Sequence, residues 1–240
     1  MGVRPKIILL CICICNCIFL HAQNKNDSSY AKAVAIYTTT VGVNTHLYSG
    51  SEYMDYDHRV TGNPFFADAY FTTGSIVYND ILYNNVQLFY DEQHDEVVLK
   101  SYNDTPLVLV REKVTAFDIL GHHFINLQAV NTTSAVKDSG FYDVLYNGNT
   151  KLFVKRKKLF IEKITTLYAE SLFQEKEAYY FLKDNTLYAV NDKNSVLAVL
   201  KDKKNAVSKF LHQAKISFRQ NPEAAMIKMT AYYDSLNNTK

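Results

Sequence analysis

The densest group of side chains that could do chemistry lies in residues 90–96, Tyr-Asp-Glu-Gln-His-Asp-Glu. Carboxylates and imidazole are ligands for Ca²⁺, Mn²⁺ or Zn²⁺, so Asp91, His94 and Asp95 are the candidate metal ligands. Their spacing matches no calcium-binding loop, and the segment separates two apolar runs where a polar turn is needed. The sequence favours a turn over a metal site, and we expect no metal and no other cofactor.

A second chemistry open to acidic residues is general acid–base catalysis, in which paired carboxylates hydrolyse a glycan or a peptide. The candidates are Asp91, Asp95 and Asp118. Such pairs leave no sequence signature, whereas the G-x-S-x-G, P-loop, G-x-G-x-x-G and H-E-x-x-H motifs are recognisable and do not occur in this chain. A hydrolase is therefore an alternative, which two carboxylates converging in one concave pocket would favour.

Three further groups have a functional and a structural interpretation. His122 and His123 are adjacent, and adjacent residues of a regular strand point to opposite faces, so they are not expected to share one ion. The basic run 155–158 could meet lipid head groups or an acidic partner, but the nearby Glu162 favours a solvated strand or turn.

Tyrosines on the predicted strands form the third group. Tyr78, Tyr83 and Tyr90 could line a groove that binds a sugar or a lipid. Tyrosine in a strand is more often part of the core, with its hydroxyl at the rim. The sequence favours the core position, and the groove is the alternative.

The N-terminus indicates export. Arg4 and Lys6 precede an apolar run that ends near Ala22, which is the pattern of a secretory signal peptide over residues 1–22. All the cysteines lie inside it: Cys11, Cys13, Cys15 and Cys17. The chain that remains has no thiol chemistry and as many basic as acidic residues. This balance argues against nucleic acid or an anionic membrane surface as partner, and the protein is expected to be at most peripheral to a membrane.

The elements that must position these residues are mainly strands. From Gly74 onward, apolar runs alternate with short polar gaps, which predicts consecutive hairpins. The predicted runs are 76–78, 81–83, 86–90, 96–102 and 107–110, followed by strands on either side of Gly121. Turns are predicted at Asn147-Gly148 and Asp184-Asn185, while residues 164–177 have no clean period and fit strand or loop.

Helical spacing is found near both ends of the exported chain. A helix can begin near Ser29, and after Val190 the apolar positions follow a helical period. Asn221-Pro222 opens a final helix, with Asn as N-cap and Pro at the first helical position. We therefore predict a signal peptide (1–22), an antiparallel β domain (23–190) and a helical segment (191–240) packed on that domain. The predicted fold class is mainly β (α+β), an antiparallel meander that can curve into a half-barrel.

The segments 47–66 and 74–98 resemble a pattern found in uncharacterised secreted β-rich proteins of Gram-negative bacteria. In that pattern L-Y-x-G-x-E-Y-x-x-Y precedes G-x-P-F-F, and G-S-x-x-Y precedes Y-x-x-V-x-L-x-Y-D and D-x-V-V. The matching positions are Leu47, Tyr48, Gly50, Glu52, Tyr53, Tyr56, Gly62, Pro64, Phe65, Phe66, Gly74, Ser75, Tyr78, Tyr83, Val86, Leu88, Tyr90, Asp91, Asp95, Val97 and Val98. The resemblance implies a compartment and an architecture, and no activity comes with it.

Export, a tyrosine-rich meander and the lack of a catalytic motif together favour a non-enzymatic module. We expect it in the periplasm, at the outer membrane or outside the cell, where it binds an envelope protein or a small apolar or glycan ligand. The alternatives are the hydrolase described above and a structural subunit of an envelope assembly. A structural subunit would show an exposed apolar patch or an unpaired edge strand.

Overall fold

In the part of the chain that the structure describes, eleven strands form a single antiparallel sheet. The computed structural model describes residues 47–56, 59–68, 70–127, 139–164 and 169–237, together with Lys32. The predicted signal peptide lies outside the described residues, and of the predicted helix near Ser29 only Lys32 is described. Within the described part, the predicted antiparallel meander of a mainly β protein is confirmed.

The sheet has the order β1-β5-β4-β3-β2-β6-β7-β8-β9-β10-β11 and is not closed. The strands are β1 (Ser51–Glu52), β2 (Thr72–Tyr78), β3 (Ile81–Asp91), β4 (Glu96–Lys100), β5 (Pro106–Val108), β6 (Val114–Ile119), β7 (His122–Leu127), β8 (Gly140–Asn147), β9 (Lys151–Ile164), β10 (Ala169–Lys183) and β11 (Thr186–Val190). From β6 onward each strand pairs with the next in sequence.

The connection from β5 to β6 shows that the first half of the sheet is strongly curled. These two strands are separated in the sheet by β4, β3 and β2, a flat distance of about 19 Å at the usual strand spacing. Residues 109–113 join them and include a 3₁₀ turn, Arg111–Lys113. So short a connection cannot cross a flat sheet, so the strands must curve until β5 and β6 approach each other.

Tight turns join most of the strands, as their sequences predict. Asn79-Asp80 and Asp184-Asn185 both have positive φ at both residues, the geometry that two-residue hairpin turns require. Asn84-Asn85, in contrast, was predicted to separate two strands and does not. Strand β3 runs through it, and Asn85 (φ 57°) forms a β-bulge opposite the register shift at Gly74 and Ser75.

Three helices follow the sheet: α1 (Lys193–Val199), α2 (Lys204–Gln213) and α3 (Pro222–Asn237). The periodicity after Val190 predicts one helix before Asn221, whereas the structure divides it at Leu200 and a 3₁₀ turn. Asn221 caps α3 as predicted, because its side chain accepts from the backbone N–H of Ala224 at 2.9 Å. None of the described helices combines the length and the apolarity needed to cross a membrane.

The protein has two main apolar cores. The first lies inside the curl of β2–β7, is completed by Phe141 of β8, and is rich in aromatic side chains, among them Phe117 and Phe124. The second lies between the helices and the sheet formed by β8–β11. Of the polar residues considered for chemistry, Asp91, His94 and Asp95 are held where the end of β3 meets β9, beside the first core.

Candidate functional site

The turn between β3 and β4, residues 92–95, is docked on strand β9. The backbone N–H of Lys158 donates to the backbone oxygen of Glu92 at 3.4 Å. The backbone N–H of Phe160 donates to the side-chain oxygen of Gln93 at 2.9 Å. The polar turn predicted for residues 90–96 is therefore present, and it also joins the two halves of the sheet.

Asp91 is the anchor of this turn. Its carboxylate is fully buried and accepts from the hydroxyls of Tyr53 at 2.9 Å and Tyr56 at 2.9 Å. It also accepts from the backbone N–H groups of Gln93 at 2.8 Å and His94 at 3.0 Å. Burial, and then the charge of Asp91, raise the pKa of both tyrosines above its usual range, so both remain protonated donors.

Asp95 makes the second link to β9. It accepts from the hydroxyl of Tyr90 at 2.6 Å, and its carboxylate lies 2.8 Å from the ammonium of Lys155. Lys155 is buried; burial lowers the pKa of its ammonium, and Asp95 opposes that shift. A side chain at Gly140 would collide with this ion pair, so the pair occupies the space that the glycine leaves.

The candidate metal ligands do not form a joint site. Asp91 and His94 are in contact, with 3.1 Å between Asp91 Oδ2 and His94 Nδ1, but Asp95 is directed at Lys155. Among the described residues, no three His, Cys, Asp or Glu side chains are grouped as metal ligands.

The three carboxylates considered for acid–base catalysis also have separate partners. Asp118 lies on a different surface, where it accepts from Ser75 Oγ at 2.7 Å and lies 2.6 Å from His123 Nδ1. The neighbouring His122 contacts Asp143 instead, at 2.8 Å. The two histidines thus face different carboxylates, and neither Asp118 nor the Asp91 anchor converges on a second carboxylate in a pocket.

The tyrosines for which a groove was the alternative lie in the aromatic core. Tyr78, Tyr83 and Tyr90 are all buried and belong to the cluster inside β2–β7. Their rings fill the concave side of the curled sheet, together with the phenylalanines of β6–β8. The structure therefore gives these tyrosines the core position that the sequence favours.

A cavity of about 190 Å³ lies beside the docked turn. Its lining consists of Phe66, Ala67, Glu92, Arg156, Lys157, Glu175, Lys176 and Glu177. Arg156 and Lys158 of β9 are directly opposite Glu177 and Glu175 of β10, so all four side chains lie on one face of this hairpin. The basic run 155–158 is thus a strand facing acidic residues, and its Lys155 and Lys158 are buried.

The two cations on this face are already bonded. Arg156 contacts Asp143 at 3.0 Å, Glu223 at 2.9 Å, and Glu177. Lys158 contacts Asp68 at 2.7 Å and Glu175 at 3.5 Å. The carboxylates on or beside the face are Asp68, Glu92, Asp143, Glu175, Glu177 and Glu223. The cations at the cavity are Arg156, Lys157, Lys158 and Lys176, so the six carboxylates exceed them by two.

Glu92 is the unusual member of the group. It is only 5 % exposed, and among the described residues no hydrogen bond or ion pair reaches its carboxyl group, although Arg156 and Lys158 are near enough to act on its charge. Burial raises the pKa of Glu92 to about 7, and the two cations only partly oppose that shift. A buried carboxyl without a partner is costly and requires an explanation.

The edge of β10 beside this cavity is open. β10 pairs with β11 only from Tyr179 to Lys183, and Thr61 bonds to its outer edge at Ser171 (2.9 Å) and Phe173 (3.1 Å). Between these contacts, residues 174–178 have no strand on that side in the described part of the chain. Because the N–H of Phe173 points to this edge, the N–H groups at 175 and 177 point there too.

The end of the β9–β10 hairpin carries exposed apolar side chains. Leu159, Phe160 and Ile164 of β9 are all exposed, and Ile164 reaches 81 %. They follow directly on the charged part of the hairpin. An open edge, an acidic cavity and an apolar end are therefore found on one hairpin.

Comparisons with protein-family models, with curated proteins and with solved structures give no match to this chain. The function is therefore argued from the geometry of the site.

Sequence reasoning found the turn that holds the site but missed Glu92, Arg156 and Glu177. The missed signal is charge complementarity between Lys-Arg-Lys-Lys at 155–158 and Glu-Lys-Glu at 175–177. These segments face each other only once the register of the hairpin is known, and residues 164–177 gave no clean period from which to assign it.

Replacement of Asp91 by alanine should destabilise the protein strongly. It leaves the hydroxyls of the buried Tyr53 and the half-buried Tyr56 and two turn N–H groups without their acceptor, and we expect a loss of about 3–5 kcal/mol in the free energy of unfolding. Urea unfolding measures it. Glu170→Ala is the control, because this exposed strand residue forms no ion pair in the described part of the chain and should cost less than about 1 kcal/mol. Equal losses in the two variants would contradict the anchoring role.

Glu92 should make stability depend on pH. Its pKa is about 7 in the folded chain against 4.5 for an ordinary glutamate, so the folded state binds the proton more tightly. The contribution of Glu92 to the free energy of unfolding is then fully present below pH 4.5 and is lost as pH rises through the folded pKa, near 7. Glu92→Gln cannot ionise and should be more stable than the wild type at pH 8, by about 1–3 kcal/mol. Urea unfolding from pH 4.5 to 8 tests this, and parallel pH profiles would refute it.

Proposed function

We propose that this chain is a non-enzymatic exported module that captures an extended segment of a partner protein on the open edge of β10. The observation that carries the proposal is the stretch 174–178, whose outer edge has no strand beside it in the described part of the chain. An extended segment can add to such an edge through main-chain hydrogen bonds, a common mode of peptide recognition. Residues 174–177 are exposed, so the edge is accessible.

The side chains along this edge favour a specific partner over self-association. Glu175, Lys176 and Glu177 are charged, and charged residues on an edge strand oppose pairing with an identical edge. The same charges select a segment of complementary charge. The apolar end of the hairpin, with Leu159, Phe160 and Ile164, offers the partner surface for hydrophobic contact next to the strand.

A protein partner is favoured over an apolar small ligand because the concave side of the curled sheet is filled by its own aromatic side chains. The predicted signal peptide and the resemblance to secreted proteins favour an envelope protein as that partner. In this proposal the protein acts in the periplasm, at the outer membrane or outside the cell.

The test selects extended peptides from a display library on the purified protein and measures their binding to two variants. Glu175→Pro removes an N–H that points to the open edge and leaves the bonds to β9 in place, so it should weaken binding at least tenfold. Glu175→Gln keeps that N–H and serves as the control. Hydrogen exchange should slow at the amides of 175 and 177 in the complex.

Unchanged affinity in Glu175→Pro, or protection confined to another region, would overturn the proposal. Far-ultraviolet circular dichroism and thermal unfolding of the variant show whether the sheet is intact. Edge-to-edge association of the protein with itself, disrupted by the same variant, would instead support the structural-subunit alternative.

One observation favours the hydrolase as a second candidate. Glu92, whose pKa is about 7, lines one cavity with Glu175 and Glu177, and neighbouring carboxyl groups of which one has a raised pKa are the arrangement of many glycosidases. If the protein is a hydrolase, it should release reducing ends from envelope glycans or new amines from peptides. Glu92→Gln should then lower the rate at least a hundredfold. Equal release by the variant would exclude this role for Glu92.

A further inference from the structure

We infer that the cavity beside Glu92 binds an organic cation, an ammonium or guanidinium group. Where that group belongs to a lysine or arginine of a captured segment, the inference rests on the proposed function. A free amine or guanidine is the other source of the same chemistry.

Negative charge exceeds positive charge around the cavity. Arg156 is held by Asp143, Glu177 and Glu223, and Lys158 is held by Asp68 and Glu175. Lys157 and Lys176 also line the cavity, so with Glu92 there are six carboxylates on or beside it against four cations. An anion would therefore be repelled, whereas a cation would reduce the excess negative charge.

Glu92 lines the cavity and is only 5 % exposed. Neither Arg156 nor Lys158 bonds to its carboxyl group, and no other group in the described part of the chain does so. A buried acceptor gains most from a charged donor, because such hydrogen bonds are about twice as strong as neutral ones. A ligand ammonium or guanidinium supplies the missing donor and the missing charge together.

The size and the lining of the cavity also fit the end of a cationic side chain. About 190 Å³ is less than the roughly 300–1,000 Å³ of sites for drug-sized ligands, but it accommodates the end of an alkyl-ammonium or alkyl-guanidinium chain. Phe66 lies in the wall, and its ring already has the guanidinium of Arg156 at 6.0 Å from its centroid. The wall therefore already holds one guanidinium group against an aromatic ring, as a site for an organic cation would.

The cavity lies beside the open edge of β10. In a strand, every second side chain lies on the same face. A segment added beside residues 174–178 would therefore place alternate side chains on the face of Glu175 and Glu177, which line the cavity. A lysine or arginine at such a position would direct its charged end toward Glu92.

The first arm of the test uses the free cation. The carboxyl carbons of glutamate are labelled with ¹³C, and the Glu92 signal, assigned by its loss in Glu92→Gln, is followed by NMR during titration with butylamine at pH 7. We expect a saturable shift and a fall of at least one unit in the pKa of Glu92. 1-Butanol and butyrate should produce neither effect, and Glu170→Gln, in an exposed residue outside the cavity, should respond like the wild type.

Three results would overturn the cation site: no response to butylamine, an equal response to 1-butanol, or a response to Ca²⁺ alone. The last would indicate a metal site instead.

The second arm uses a peptide selected on the open edge, with its lysine replaced by norleucine. The replacement should weaken binding at least tenfold to the wild type and much less to Glu92→Gln. A response to butylamine without this lysine dependence supports the cavity and assigns it to free amines. Edge binding with neither response leaves the proposed function standing and overturns the cation site. The two proposals can therefore fail separately.

Discussion

The contact between the β3–β4 turn and strand β9 is the constraint on which the rest of the site depends. Asp91 accepts a hydrogen bond from the backbone N–H of Gln93 within the turn. The side chain of Gln93 accepts from the backbone N–H of Phe160, and Asp95 forms an ion pair with Lys155. These contacts join the curled first half of the sheet to the long β9–β10 hairpin. They also fix the place of Glu92, which has no alternative position while its neighbours on both sides are held.

Most of these contacts are made by buried polar groups, and their value lies in specificity more than in stability. A buried ion pair such as Asp95–Lys155 gains little over well-packed apolar residues, yet it loses much when one partner is removed or misplaced. The turn therefore docks on β9 in one register only. Glu92 differs from its neighbours because its carboxyl group is buried and unpartnered within the described structure. Burial of such a group opposes folding, so a role in binding explains it better than a role in the fold.

Local sequence patterns predicted most of the strands but could not predict the site. The Asp184-Asn185 and Asn79-Asp80 turns follow from residues that tolerate positive φ, a property read directly from the sequence. Asn84-Asn85 has the same composition and forms a bulge within β3, because pairing with β2 decides between the two outcomes. Glu92 was placed in the correct turn, but its burial depends on β9, more than sixty residues away in the chain. Long-range contacts of this kind leave no local period.

The length of the β9–β10 hairpin explains why the open edge, the cavity and the apolar end occur together. β8 pairs with β9 only as far as Val154, and β11 pairs with β10 only from Tyr179. The hairpin continues to Ile164 and Ala169, beyond both neighbours. The part of the hairpin that is paired with β8 and β11 is enough to complete the core beneath the helices. The buried residues that β9 and β10 contribute to that core, Leu152 and Phe181, both lie in this paired part. The additional length contributes little to either main core, and it carries the side chains and backbone groups that remain available to a partner.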